Sequence, residues 1–211
     1  MEQLMEQLSK KIAKEMFGAD DPNFKRIHHY DHYVALQIKD EVLCEKCKTY
    51  FEVGTHFGHS LCTLLQSKYK SRFASCDLFH VGKTISKDCK VKDVEKIANL
   101  NAEKFNVHNY EYKIFKGNSQ GAEMRKRIEE FFPEGIDLLL IDGEHDAVKK
   151  DFYNFYPLVN KGGFVVFDDY LPQKHKGKFR KCFLHINEIV KELNAQAYPI
   201  PDGNVSFIIK K

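Results

Sequence analysis

Two stretches constrain the fold most, IDLLLID at 136–142 and GGFVVFDD at 162–169. Each is a short, unbroken apolar run that closes on an aspartate and shows no polar alternation. A strand buried on both faces reads this way, and such strands belong to parallel sheets covered by helices on both sides. Further strands are predicted over 49–53, 72–77 and 110–115, and helices over 59–69, 93–106, 119–131, 145–158 and 178–194. The chain ends on 195–200, a Pro-Asp-Gly-Asn turn at 201–204 and 205–209, which reads as a β-hairpin. Strand–helix alternation followed by a hairpin predicts a doubly wound α/β sheet whose last strand runs antiparallel.

The first 47 residues precede this pattern. Leu4, Leu8 and Ile12 recur at helical spacing up to Gly18, residues 19–23 read as a turn, and a second helix is expected over 31–46. We read 1–47 as an N-terminal helical segment or lid and 48–211 as the main domain. Helix 1–17 suits packing on that domain or on a second copy, so a homo-oligomer is open.

Composition removes several classes. Hydrophobic residues make up 43% of 211 and charged residues 30%, enough for a core and too apolar for disorder. The net charge of +3 is not the focused basic footprint of a nucleic-acid binder, so no nucleic-acid partner is expected. No run approaches the ~18–20 apolar residues that span a bilayer, so no membrane association is expected. The first residues lack the apolar core of a signal peptide. With six cysteines at irregular spacing, this predicts a cytoplasmic protein with reduced thiols.

The loop after the first strand carries Glu52, Gly54, Thr55, Gly58 and Ser60. Ligands of open α/β sheets bind at the carboxyl ends of strands, and glycines there let the backbone turn and approach a ligand closely. The spacing is not that of the dinucleotide fingerprint, and the phosphate-binding lysine of a P-loop is missing. Glu52 would repel a pyrophosphate and suits a ligand carrying ammonium and sulfonium charge. The E-x-G-x-x-x-G pattern resembles motif I of class I S-adenosylmethionine-dependent methyltransferases. Asp77, ending the second strand, can accept both hydroxyls of a ribose. The resemblance places Asn118 and Ser119 beside the adenine; Ser119 equally suits the N-cap of the following helix.

Asp142, Asp168 and Asp169 close two apolar strands that a parallel sheet sets side by side. Like charges gathered there are costly unless protonated or neutralised by a cation, and Mg2+ takes oxygen ligands of this kind. The stretch from 136 to 170 resembles the macrocin O-methyltransferase family, relatives of catechol O-methyltransferase, in which an Asp-Gly-acidic-His segment follows the fourth strand and Asp-Asp-Tyr the fifth. The resemblance covers roughly 48–170. It implies a Rossmann-like seven-stranded sheet in an α/β/α sandwich, S-adenosylmethionine and Mg2+ as cofactors, and transfer to a hydroxyl of a small polyhydroxylated acceptor, a sugar or glycan-linked sugar. It further implies Asp142, Asp168 and Asp169 as metal ligands, with Glu52, Gly54, Thr55, Gly58, Ser60, Asp77, Asn118, Ser119 and Asp142 around the cofactor. Glu144 falls at the family's general-base position. His145, neutral near pH 7, is intrinsically the better base, whereas Glu144 needs its pKa raised by burial. Both stay open.

Other readings are weaker. A catechol-like phenol is an alternative acceptor, and a non-catalytic cofactor-binding module an alternative class, which the three aspartates oppose. No Asn-Pro-Pro-Tyr-type tetrapeptide follows the fourth strand, which opposes methylation of amino groups. Cys44-Glu45-Lys46-Cys47 is half a zinc knuckle. His28, His29 and His32 suit a lid or a polar loop, and the basic run 172–181 a solvated loop or an anion clamp.

Overall fold

The computed structural model describes residues 47–66, 72–79, 94–170, 177–199 and 206–210. The expected N-terminal helices, the histidines at 28–32, Cys44, the terminal turn and the first half of the basic run lie outside the described residues.

Seven strands form one sheet: β1 (Thr49–Val53), β2 (Arg72–Asp77), β3 (Glu111–Lys116), β4 (Ile136–Ile141), β5 (Val159–Phe167), β6 (Tyr198–Pro199) and β7 (Ser206–Ile209). Their order is β3-β2-β1-β4-β5-β7-β6. The first five are parallel, and β7 runs antiparallel to both β5 and β6. The helices are α1 (His59–Leu64), α2 (Val94–Phe105), α3 (Ala122–Phe131), α4 (Val148–Phe155) and α5 (Gly177–Glu192). Among the described residues, no helix is long and apolar enough to cross a membrane.

Strand parity explains the two cores. Phe51, Val53, Leu139, Ile141, Val165 and Phe167 meet α3, α4 and α5 on one face. Tyr50, Leu138, Leu140 and Val166 meet α1 and α2 on the other. Strands this deeply buried need apolar residues at every position, which is why 136–142 and 162–169 show no alternation. The chain reverses direction across the sheet between β1 and β4. That topological switch opens a crevice at the carboxyl ends of the strands.

The elements differ from expectation at their edges. α4 begins at Val148 rather than 145, because Asp142–Ala147 forms a loop closed by Ala147 N donating to Glu144 O at 2.8 Å. Ser119 does not cap α3. That helix starts at Ala122 behind Gly121, and no side chain caps it. β5 starts before Gly162, which lies at φ +81°, and runs from Val159.

At the far end of the sheet the Asp137 carboxylate accepts from Lys48 N (2.7 Å), Thr49 N (3.2 Å) and Asn160 Nδ2 (2.8 Å), tying together the starts of β1 and β5. In the larger core, Phe51 packs edge-on against Phe155 with ring centroids 4.8 Å apart. Phe51 is fully buried, so Phe51→Ala removes the ring and leaves a cavity between β1 and α4. Urea unfolding should show a loss of about 3–5 kcal/mol; a loss below about 1 kcal/mol would show that α4 does not rest on this ring.

Candidate active site

The site is built from five strand ends held level by the backbone. Gly117 N donates to Asp77 O (2.9 Å), Gly54 N to Cys76 O (2.9 Å), Asp142 N to Val53 O (2.9 Å) and Asp168 N to Ile141 O (3.1 Å). These bonds carry the sheet one residue past β1, β3, β4 and β5, level with Asp77 at the end of β2. Gly54, Asp77, Asp142 and Asp168 therefore lie on one edge.

At the switch, Gly54 adopts φ +101° and packs against β4. A Cβ built there would lie 2.0 Å from Asp142 O, so no other residue fits. The loop then turns through His56 (φ +46°) and Gly58 (φ +80°), where Gly58 N donates to Thr55 O at 2.7 Å. Ser60 is buried in the first turn of α1. Thr55 Oγ1 is buried without a hydrogen-bond partner among the described residues.

Glu52 has no solvent exposure. Its Oε2 accepts from the Tyr50 hydroxyl at 2.5 Å, while Oε1 has no hydrogen-bond partner among the described residues. Loss of water pushes its pKa up to about 8, the Tyr50 bond lowers it, and the charge of Asp77 raises it. Near pH 7 this carboxyl therefore keeps its proton.

Asp77 is held by both neighbouring loops. His56 N donates to its Oδ2 and Phe79 N to its Oδ1, each at 2.8 Å. A carboxylate has about four lone-pair sites, so two stay available for hydroxyl donors. Asn118 Oδ1 accepts from Gln120 N (3.0 Å), which shapes the turn after β3.

The acidic residues divide into two groups. Asp142 and Asp168 stand side by side, each one residue past the neighbouring strands β4 and β5. The Asp142 carboxyl is pushed well above the usual range, first by burial, then by Asp168, then by Asp169 and Glu52. Burial and like charge both favour the neutral form of Asp142. Asp169 is buried, adopts φ +57° and turns its Oδ2 to His145 Nε2 at 2.9 Å. Glu144 is exposed. The three aspartates thus share the edge, but Asp169 engages the imidazole.

Two contributors were not visible in the sequence reading. Tyr50 is one, two residues before Glu52 and hence on the same face of β1. Asp151 on α4 is the other: it is buried, and its Oδ1 accepts from Ser119 Oγ at 2.7 Å. Burial raises its pKa to about 6, with Ser119 lowering it and Glu144 raising it. Its helical position concealed it; an acid among the apolar positions of α4 was the available signal. Ser119 is thereby a clamp between the β3 turn and α4. Lys181, from the basic run, holds Asp146 at 2.6 Å.

The profile of a family described as a methyltransferase domain matches residues 51–170. The chain belongs to this methyltransferase family. The matched segment contains the whole level edge from Glu52 to Asp169, and with the sheet order it makes the protein a class I methyltransferase, an enzyme. The methyltransferase is 31% identical over 194 residues to the uncharacterised protein R132 of Acanthamoeba polyphaga mimivirus, covering 91% of this chain and 78% of that one. Its fold is similar to that of an O-methyltransferase from Bacillus cereus in complex with SAH, with TM-score 0.64, 17% identity, and 99% and 91% of the two chains covered. It is similar also to CalS11, a TDP-rhamnose 3'-O-methyltransferase of calicheamicin biosynthesis, with TM-score 0.61, 15% identity, and 98% and 93% covered.

The Glu52 environment fixes a pH dependence. Between the usual 4.5 and about 8 the native carboxyl keeps a proton that the unfolded chain has lost. Stability therefore falls as pH rises through that window and levels above it. Glu52→Gln should flatten this part of the stability curve in thermal melts and raise stability at the alkaline end. Parallel curves for the two proteins would remove Glu52 as a buried, neutral acid.

Proposed function

We propose that this methyltransferase moves the methyl group of S-adenosylmethionine to a hydroxyl oxygen of a small polyhydroxylated acceptor, with Mg2+ at the acidic strand ends, in the cytoplasm. The observation that carries this reading is the pairing of Asp142 and Asp168 at adjacent strand ends, an all-oxygen donor set in which burial and the neighbouring carboxylates push Asp142 well above the usual range. A hard divalent ion fits such donors.

The donor supplies an electrophilic methyl on a positively charged sulfur. Glu52, with its unsatisfied Oε1, would face that positive charge or the ammonium group. Asp77 would accept the ribose hydroxyls on its remaining lone pairs. Gly54, Thr55, Gly58 and Ser60 would form the wall along the cofactor, with Asn118 and Ser119 on the base side. Asp142, Asp168 and Asp169 would hold Mg2+, which lowers the pKa of a bound hydroxyl. Holding His145 does not exhaust the lone pairs of Asp169.

The geometry favours His145 over Glu144 as base. An ionised Asp169 can only accept, so His145 Nε2 carries the proton and Nδ1 the basic lone pair. Glu144 is exposed, and the family resemblance alone supports it. The CalS11 description supports a sugar acceptor.

Methyl transfer to sugar nucleotides and to catechols, with and without EDTA, tests the reading. Turnover should require Mg2+ and favour the sugar. His145→Asn should lower kcat about 10²–10⁴-fold with S-adenosylhomocysteine affinity unchanged. Full activity in EDTA would overturn the metal, and a crippled Glu144→Gln beside a mild His145→Asn would pass the base to Glu144.

A further inference from the structure

The His145–Asp169 pair has a third neighbour. Cys182, in the first half of α5, is buried against it, and one donor atom each from His145, Asp169 and Cys182 lie within 4.8 Å of one another. The reading of the site given above uses no thiol. The donor set is also of a different chemical kind from the Asp142–Asp168 pair, being nitrogen, oxygen and sulfur rather than oxygen alone.

We propose that His145 Nε2, an Asp169 carboxylate oxygen and Cys182 Sγ form a binding site for a borderline transition-metal ion of the Zn2+ class. Three donors converge here from the β4–α4 loop, the end of β5 and helix α5. Tetrahedral zinc with bonds of about 2.0–2.3 Å places its ligand atoms roughly 3.3–3.6 Å apart. The Nε2–Oδ2 separation of 2.9 Å needs only a small opening to admit the ion in place of the proton. Mg2+ has no use for a thiolate, whereas zinc, cobalt and their neighbours prefer sulfur and imidazole. His145 keeps 36% of its side chain exposed, against 4% for Asp169, so entry is from the imidazole side.

A second observation points the same way. His185 lies one turn along α5 from Cys182, a ligand-like i, i+3 spacing. Its Nδ1 is buried without a hydrogen-bond partner among the described residues. Its charge reaches Asp146, as does that of His145, so both imidazoles border the same loop. Water completes the coordination, and His185 is a half-buried imidazole beside the loop that carries His145.

Occupancy would pin α5 to the strand edge and take both His145 and Asp169 out of the reaction. The ion would then inhibit a Mg2+-supported transfer. That consequence rests on the function proposed above; the binding does not.

Cobalt is the probe, because its spectrum reports sulfur directly. Co2+ is titrated into the full chain carrying Cys44→Ser and Cys89→Ser, so that cysteines outside the described residues contribute nothing. We expect one equivalent to bind with a near-ultraviolet sulfur-to-cobalt charge-transfer band and the intense visible bands of a four-coordinate ion, all bleached by Zn2+. Cys182→Ser should abolish the charge-transfer band and weaken Zn2+ binding on the order of tenfold to a hundredfold or more. Asp142→Asn should leave the band in place, separating this site from the oxygen pair. Cys182→Ala, verified as folded by circular dichroism, provides the same test should serine disturb the core. No cobalt binding, binding without a charge-transfer band, or a band that survives both Cys182 variants would each overturn the proposal.

Discussion

Everything in this site hangs on the contact between β1 and β4 just past their ends. Val53 O accepts from Asp142 N, and Gly54 Cα lies against Asp142 O where a side chain would have to sit 2.0 Å from that oxygen. The contact closes the sheet at the point where its winding reverses, and it brings Glu52 and Asp142 to one edge, near enough for their charges to act on each other. Any side chain at position 54 would separate the strands and lose the level edge that carries Asp77, Asp142 and Asp168.

That edge concentrates negative charge in a poorly hydrated place. Glu52 is held neutral up to about pH 8, Asp151 up to about 6, and Asp142 is pushed well above the usual carboxylate range. In a folded chain such groups lower stability unless cations offset them. The arrangement makes sense for a protein whose ligands bring positive charge to two separate places: one at Glu52, the other at the paired aspartates. His145 and Asp169 stand beside the second place, close enough to serve its chemistry and, with Cys182, close enough to hold an ion of another kind.

Most of the architecture was legible because burial on both faces leaves a plain record. The runs 136–142 and 162–169 admit no other reading, and their terminal acids mark the carboxyl edge. The places of Asp77 and the glycine loop were legible for the same reason, since the sheet sets both at its carboxyl edge. What the sequence could not show depends on side-chain direction. Asp169 follows Asp168 directly, yet its positive φ turns it to His145. Ser119 has the composition of a cap, yet α3 starts three residues later, and the hydroxyl is taken by Asp151, 32 positions away. Cys182 joins the site only because α5 packs across the end of β5, a tertiary fact without a local pattern.

The central claim is that Glu52 is a neutral acid that ionises when a cationic cofactor arrives. The most direct measurement is calorimetry of S-adenosylmethionine binding near pH 7 in buffers of different ionisation enthalpy, at fixed Mg2+. The account predicts release of about one proton on binding by the native protein and close to none by Glu52→Gln. Equal proton release by the two proteins, or none by either, would contradict it.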